Sequence, residues 1–123
     1  MKEKTFGQLI RELRIAHKEY NSLREFARKV GLSAAYLSRI ENEKEPPPSE
    51  SIIERMAEAL GIDKYELFSH AGKIPTEFLE TFQKNPKSVA SFMRRAQEYG
   101  VESDKDWKSI EEAIIPKMKR KMK

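Results

Sequence analysis

A chain of 123 residues and 14.4 kDa has room for one ordinary domain, or for a small domain with an attached subdomain, and excludes the large α/β enzyme folds. Charged residues make up 36% and apolar residues 38%, with a mean hydropathy of −0.75, so the core must be small, and no apolar run approaches the roughly 20 residues of a bilayer-crossing helix. The net charge of +4, from 24 basic and 20 acidic residues, suits a polyanionic partner.

Residues 1–72 carry 12 basic and 12 acidic side chains, so the whole excess lies further on, and Lys117, Lys119, Arg120, Lys121 and Lys123 follow the last acid, Glu112. No secretory signal is visible, which makes the cytoplasm the expected compartment and leaves no expected membrane partner. The absence of cysteine removes disulfides, thiolate metal sites and cysteine nucleophiles together. His17 and His70 stand far apart. They are poor material for a metal or a catalytic base, so no cofactor, metal or catalytic residue is expected and the chain does not read as an enzyme.

In chain order, Phe6, Leu9, Ile10 and Leu13 recur at helical spacing behind a capping box of Thr5 and Gln8. Ser22 and Glu25 open a second, short helix that carries Leu23, Phe26, Ala27 and Val30 inward and ends at Gly31. After a tight turn, Ser33 caps a third through Ala34, Tyr36, Leu37 and Ile40. Pro46, Pro47 and Pro48 then impose an extended path. Ser49 or Ser51 caps a fourth helix with Ile52, Ile53, Met56, Ala59 and Leu60 as its stripe, closed by Gly61, and Asp63 with Glu66 opens a fifth through Tyr65 and Phe68. Five helices therefore fill residues 5–71, and nothing alternates with period two for long enough to predict a strand.

Beyond a boundary expected at Ala71-Gly72-Lys73, Pro75 suits a first helical position before Phe78, Leu79 and Phe82. Asn85-Pro86 starts a helix with Val89, Phe92, Met93 and Ala96 that ends at Gly100. A last amphipathic segment begins near Ser103 or Asp104, with Trp107, Ile110, Ile114 and Met118 on one face, and Pro116 should end or kink it near Ile115.

Helix, glycine-containing turn, helix and proline-rich exit over residues 22–45 make a helix-turn-helix unit, whose second helix can enter a DNA major groove. At about 100° per residue, Leu37 and Ile40 point one way and Ala35, Ser38, Arg39 and Asn42 the other, a pattern that fits a groove but on geometry alone is more often an ordinary surface helix with a polar outside. The run from Ser22 to Lys44, with Glu25-Phe26-Ala27, Gly31, Tyr36-Leu37-Ser38-Arg39-Ile40-Glu41 and Pro48-Ser49, resembles the lambda-repressor-like, or XRE, family of helix-turn-helix regulators. The resemblance spans residues 5 to about 71, including Leu13-Arg14 and Ala57 to Asp63.

The resemblance implies an all-α, five-helix DNA-binding domain. It makes Ala27 the small residue where the motif helices touch, Gly31 the turn residue, and Arg14–Glu41 an ion pair between the first helix and the end of the third. Ser33, Ala34, Ala35, Tyr36, Ser38 and Arg39 fall on the base-reading positions, and Asn42 and Lys44 on phosphate-reaching ones. Arg39 can grip guanine O6 and N7, while Ala34 or Ala35 can meet a thymine methyl. The alternative for Arg39 is a solvated side chain or one held by Glu43. Many members have glutamine where this chain has Leu23, so a phosphate contact there falls to Ser22, Arg24 or the helix N-terminus, and part of the specificity to DNA shape.

A single reading helix binds weakly, so such regulators work in pairs with half-sites about 34 Å apart. Phe78, Phe82, Phe92, Met93, Trp107, Ile110 and Ile114 are more apolar surface than residues 73–115 need for their own packing, and are expected to dimerise the chain unless they complete a monomeric core. The expectation is a homodimeric repressor on double-stranded DNA: a DNA-binding domain at 1–72, a helical dimerisation domain at 73–115 and a basic tail at 116–123. The alternative is an antitoxin or other regulator whose C-terminal half binds a protein partner.

Overall fold

The computed structural model describes residues 4–118, and the chain is all-α with no strand among the described residues. The helices are α1 (Phe6–Ala16), α2 (Leu23–Val30), α3 (Ala34–Glu41), α4 (Glu50–Leu60), α5 (Lys64–Ala71), α6 (Thr76–Lys84), α7 (Pro86–Glu98) and α8 (Asp104–Ile114), followed by a 3-10 turn at Ile115–Lys117. None of the described helices is long and apolar enough to cross a membrane.

The starts follow the local capping chemistry. Thr5 Oγ1 accepts from Gln8 N at 3.2 Å while Thr5 N donates back to Gln8 Oε1 at 3.1 Å. Ser22 accepts from Glu25 N at 3.3 Å, Ser33 from Tyr36 N at 3.0 Å and Asp63 from Tyr65 N at 2.7 Å. Ser49 occupies the cap position of α4 without a side-chain bond to it. A cap of this kind is worth about 1 kcal/mol, and it sets where each apolar stripe begins.

The chain divides into two compact units between Thr76 and Glu77. In the first, α1 packs on α3 and α5, α2 on α3 and α4, and α4 on α5. Their shared core holds Phe6 and Ile10, then Phe26, Ala27 and Val30, Leu37 and Ile40, Ile53, Met56, Ala57 and Leu60, and finally Leu67 and Phe68. The burial departs from the periodicity at several stripe residues, with Leu23, Ile52 and Ala59 only half-buried. Leu9 and Leu13 are only half-buried, at the edge of this core, and Tyr65 is exposed because α5 turns Leu67 inward beside Phe68.

The unit runs four residues past Gly72. Lys73 Nζ donates to the Pro48 carbonyl at 2.7 Å, and Thr76 gives its N–H and hydroxyl to Glu50 Oε2 at 2.7 and 2.6 Å. These bonds fasten the exit from α5 onto the start of α4. The Glu50 carboxylate satisfies the first N–H of α6, and Pro75 stands just outside that helix.

In the second unit Pro86 is the first residue of α7, Gly100 closes it with a φ of 91°, and Ser103 with Asp106 forms a capping box on α8. Ala96 is buried, with Val89, Val101, Trp107 and Ile110 half-buried. The Phe92 and Trp107 rings lie 6.2 Å apart. Pro116 falls in the 3-10 turn that ends α8. Of the basic tail, the part beyond Met118 lies outside the described residues.

Candidate nucleic-acid interface

Helix α3 is held from behind at both ends and in the middle. Its inner face buries Leu37 and Ile40 completely, which fixes the azimuth at which the opposite side chains stand. At its start, Gly31 takes a left-handed φ of 86° and ends α2, with Leu32 N donating to Ala27 O at 2.8 Å. Arg55, from α4, donates to the Val30 carbonyl at 3.4 Å, and a Cβ on Gly31 would lie only 2.7 Å from that guanidinium. Ala27 is buried in the core of the first unit.

The end of α3 is clamped to α1. Arg14 Nε donates to Glu41 Oε2 at 2.7 Å and Arg14 Nη2 to Glu41 Oε1 at 3.0 Å, a fork-on-carboxylate pair with both side chains buried. The remaining Nη1 donates to the Asn21 carbonyl at 2.7 Å, so one guanidinium joins α1, the end of α3 and the segment leading into α2. Gly7 completes the contact, since a Cβ there would stand 2.4 Å from Ile40 O and 2.9 Å from Glu41 O.

On the outer face Ser33, Ala35, Arg39 and Asn42 are exposed, while Ala34, Tyr36 and Ser38 are half-buried. Ala34 and Tyr36 pack against the core, so Ala35 is the more accessible of the two alanines. Asn42 Nδ2 donates to Ser38 O at 2.9 Å and lies within 3.3 Å of Ser38 Oγ; in the protein alone it closes its own helix. Ser22 caps α2, Arg24 and Lys44 are exposed, and Leu23 is half-buried against the core, which accounts for an apolar residue at that position.

Arg39 is paired with Glu45, not Glu43: its Nε lies 3.5 Å from Glu45 Oε2, and its Cζ 5.8 Å from the centre of the Tyr36 ring. The backbone explains the exchange. Lys44 N donates to Arg39 O at 2.8 Å and Glu43 N to Ile40 O at 3.1 Å, the two bonds of a Schellman ending, with Glu43 at a left-handed φ of 63° in the place glycine usually takes. That reversal swings Glu43 towards α1, where its carboxylate accepts from Thr5 Oγ1, and brings Glu45 back alongside Arg39.

Three contributors were not apparent from the residue pattern: Gly7, Arg55 and Glu45. A glycine inside a helical stripe was a usable signal for Gly7. Arg55 and Glu45 had none, since their positions follow from packing and from the turn at Glu43.

The helix-turn-helix family profile (HTH_3) matches residues 10–67, which spans the motif and the helices that support it. No curated protein sequence matches the chain. Among solved structures, a chain of the "SinR protein/SinI protein complex" is similar, with 27% identity and a TM-score of 0.48 over 89% of this chain and 93% of that one. Residues 10–67 are thus a helix-turn-helix domain of the lambda-repressor-like (XRE) family, the DNA-binding part of a transcription regulator.

Proposed function

We propose that the chain is a sequence-specific, non-enzymatic repressor that works as a homodimer in the cytoplasm and reads double-stranded DNA with α3 in the major groove. The observation that carries this reading is the two-sided character of α3, with Leu37 and Ile40 buried and Ala35, Arg39 and Asn42 presented on the other side of a helix clamped by Arg14 and Glu41. Small and hydrogen-bonding side chains on a rigid helix suit a groove about 12 Å wide.

In this reading Arg39 grips guanine O6 and N7, and Ala35 meets a thymine methyl, with Ser33 and Ser38 near them and the half-buried Ala34 and Tyr36 at the margins of the surface. Ser22, Arg24 and the N-terminus of α2 approach one phosphate run, and Lys44 with Asn42 the other. Asn42 would exchange its bond to Ser38 for a phosphate oxygen. Affinity comes from pairing two such domains through apolar side chains of α6–α8. Phe78, Phe82, Phe92, Met93 and Ile114, each between 44% and 53% exposed, support that assignment, as do the half-buried Trp107 and Ile110.

Selection of bound duplexes from a randomised pool, with the full chain and with Arg39→Ala, tests this. Palindromic sites are expected, and the mutant should lose about 1–3 kcal/mol of discrimination at one base pair in each half-site. An unaltered base preference in the mutant would remove α3 as the reading element.

A further inference from the structure

We propose that Glu45 is a positioning and specificity-determining partner of Arg39, holding the guanidinium by Nε so that its two terminal nitrogens point outward as a fork, and repelling phosphates that compete for it. The inference rests on the assignment of Arg39 to base reading. Glu45 Oε2 lies 3.5 Å from Nε as a half-exposed ion pair, longer than a hydrogen bond, and the Tyr36 ring centre is 5.8 Å from Cζ, so the guanidinium has an attractive neighbour at one edge and at one face. The Nη1 and Nη2 groups are the pair that fits O6 and N7 of guanine, and a grip on Nε leaves both in place for it.

An acid on a surface that meets DNA also acts against the wrong target. A guanine edge offers neutral acceptors, which Arg39 can take while still paired. A phosphate brings a negative charge next to the Glu45 carboxylate, so sequence-independent contact through Arg39 is weakened more than base contact. The placement is built into the chain. Glu45 N and Lys44 N both donate to the Arg39 carbonyl, and Glu43, the other acid of this turn, is occupied with Thr5 on α1. The turn at Glu43 thereby assigns one carboxylate to the scaffold and the other to the reading arginine.

The test uses the full chain as wild type, Glu45→Gln, Arg39→Ala and the double variant. Each is titrated with a duplex selected from the random pool and with a scrambled duplex of the same length and composition, over a range of salt. Glu45 is about two-fifths exposed, so Gln should fold as wild type does, and thermal melting checks this. In Glu45→Gln the scrambled duplex should bind more tightly, the ratio of selected to scrambled affinity should fall by about three- to tenfold, and the scrambled-duplex slope of log K on log salt should steepen by about 0.9 as Arg39 becomes available to one phosphate. In the Arg39→Ala background, Glu45→Gln should leave the ratio unchanged.

Equal changes for both duplexes, or the same fall in ratio without Arg39, would overturn the role of Glu45 while leaving α3 as the reading helix. If Arg39→Ala alone keeps the wild-type base preference, the assignment of Arg39 fails and this inference with it.

Discussion

Gly7 stands where α1 meets the end of α3, facing the Ile40 and Glu41 carbonyls and the Glu43 carboxylate. Alanine at Gly7 gains about 1 kcal/mol of helix propensity, yet its Cβ would meet the Ile40 and Glu41 carbonyls, which are backbone and cannot turn aside. Overpacking of this kind costs about 1–3 kcal/mol, which outweighs that gain, so Gly7→Ala should lower the unfolding free energy by up to about 2 kcal/mol in urea titration. A gain would mean that α1 can lift off α3 at no cost. The Arg14–Glu41 pair gives a sharper contrast. Glu41→Gln leaves a buried guanidinium short of its counter-charge and should cost about 3–5 kcal/mol, whereas the apolar pair Arg14→Met with Glu41→Leu removes both charges and should cost far less than the single change. If the double variant is the less stable of the two, the pair contributes net stability beyond mutual compensation.

At the scale of the element, the helices are short and depend on their ends. Asp106 accepts backbone N–H bonds from Glu102 and Ser103, and these hold its carboxyl below its ordinary value. A carboxyl lowered in the folded chain stabilises it above the unfolded value, and that contribution is lost as pH falls through the folded one. Acidification below about pH 4 should therefore loosen the start of α8, and Asp106→Asn, which keeps an acceptor without a titration, should flatten that part of the acid limb. Amide shifts of Ser103 to Trp107 followed against pH would check it; identical limbs in the two proteins would show that other carboxylates set the acid response. Helix α3, like the other eight-residue helices α2 and α5, also depends on its surroundings. Its eight residues are too few to be stable alone, and the buried Leu37 and Ile40 with the Glu41 clamp keep it in register.

For the whole molecule, the division between Thr76 and Glu77 gives dimerisation a direct test. The first unit has its own core, so a chain ending at Thr76 should fold and run as a monomer in light scattering, while the full chain runs as a dimer. Its affinity for a palindromic duplex should fall by an order of magnitude or more, through loss of the tethered second half-site. A truncated chain that still pairs like the full one would place the interface in α1–α5. A full chain that is monomeric by itself would favour the partner-protein alternative for α6–α8.

The helices, their caps and the buried stripes were written in the sequence because they depend on residues within about four positions of each other. Thr5 with Gln8, Ser22 with Glu25 and Ser33 with Tyr36 satisfy the first N–H groups locally, and Leu37 with Ile40 defines the face of α3 that must turn inward. The DNA-binding class came from the resemblance of residues 22–45 to the XRE family and not from helical spacing, which suits an ordinary surface helix equally well. Tertiary structure alone decided that Glu45 and not Glu43 faces Arg39, that Gly7 is a point of backbone contact, and that the first unit extends to Thr76. Each of these depends on a reversal of the chain or on groups brought together across it, as Lys73 is to Pro48 and Thr76 to Glu50. Periodicity places a residue on a face of its own helix. Which atom it meets there is set by how the other helices pack.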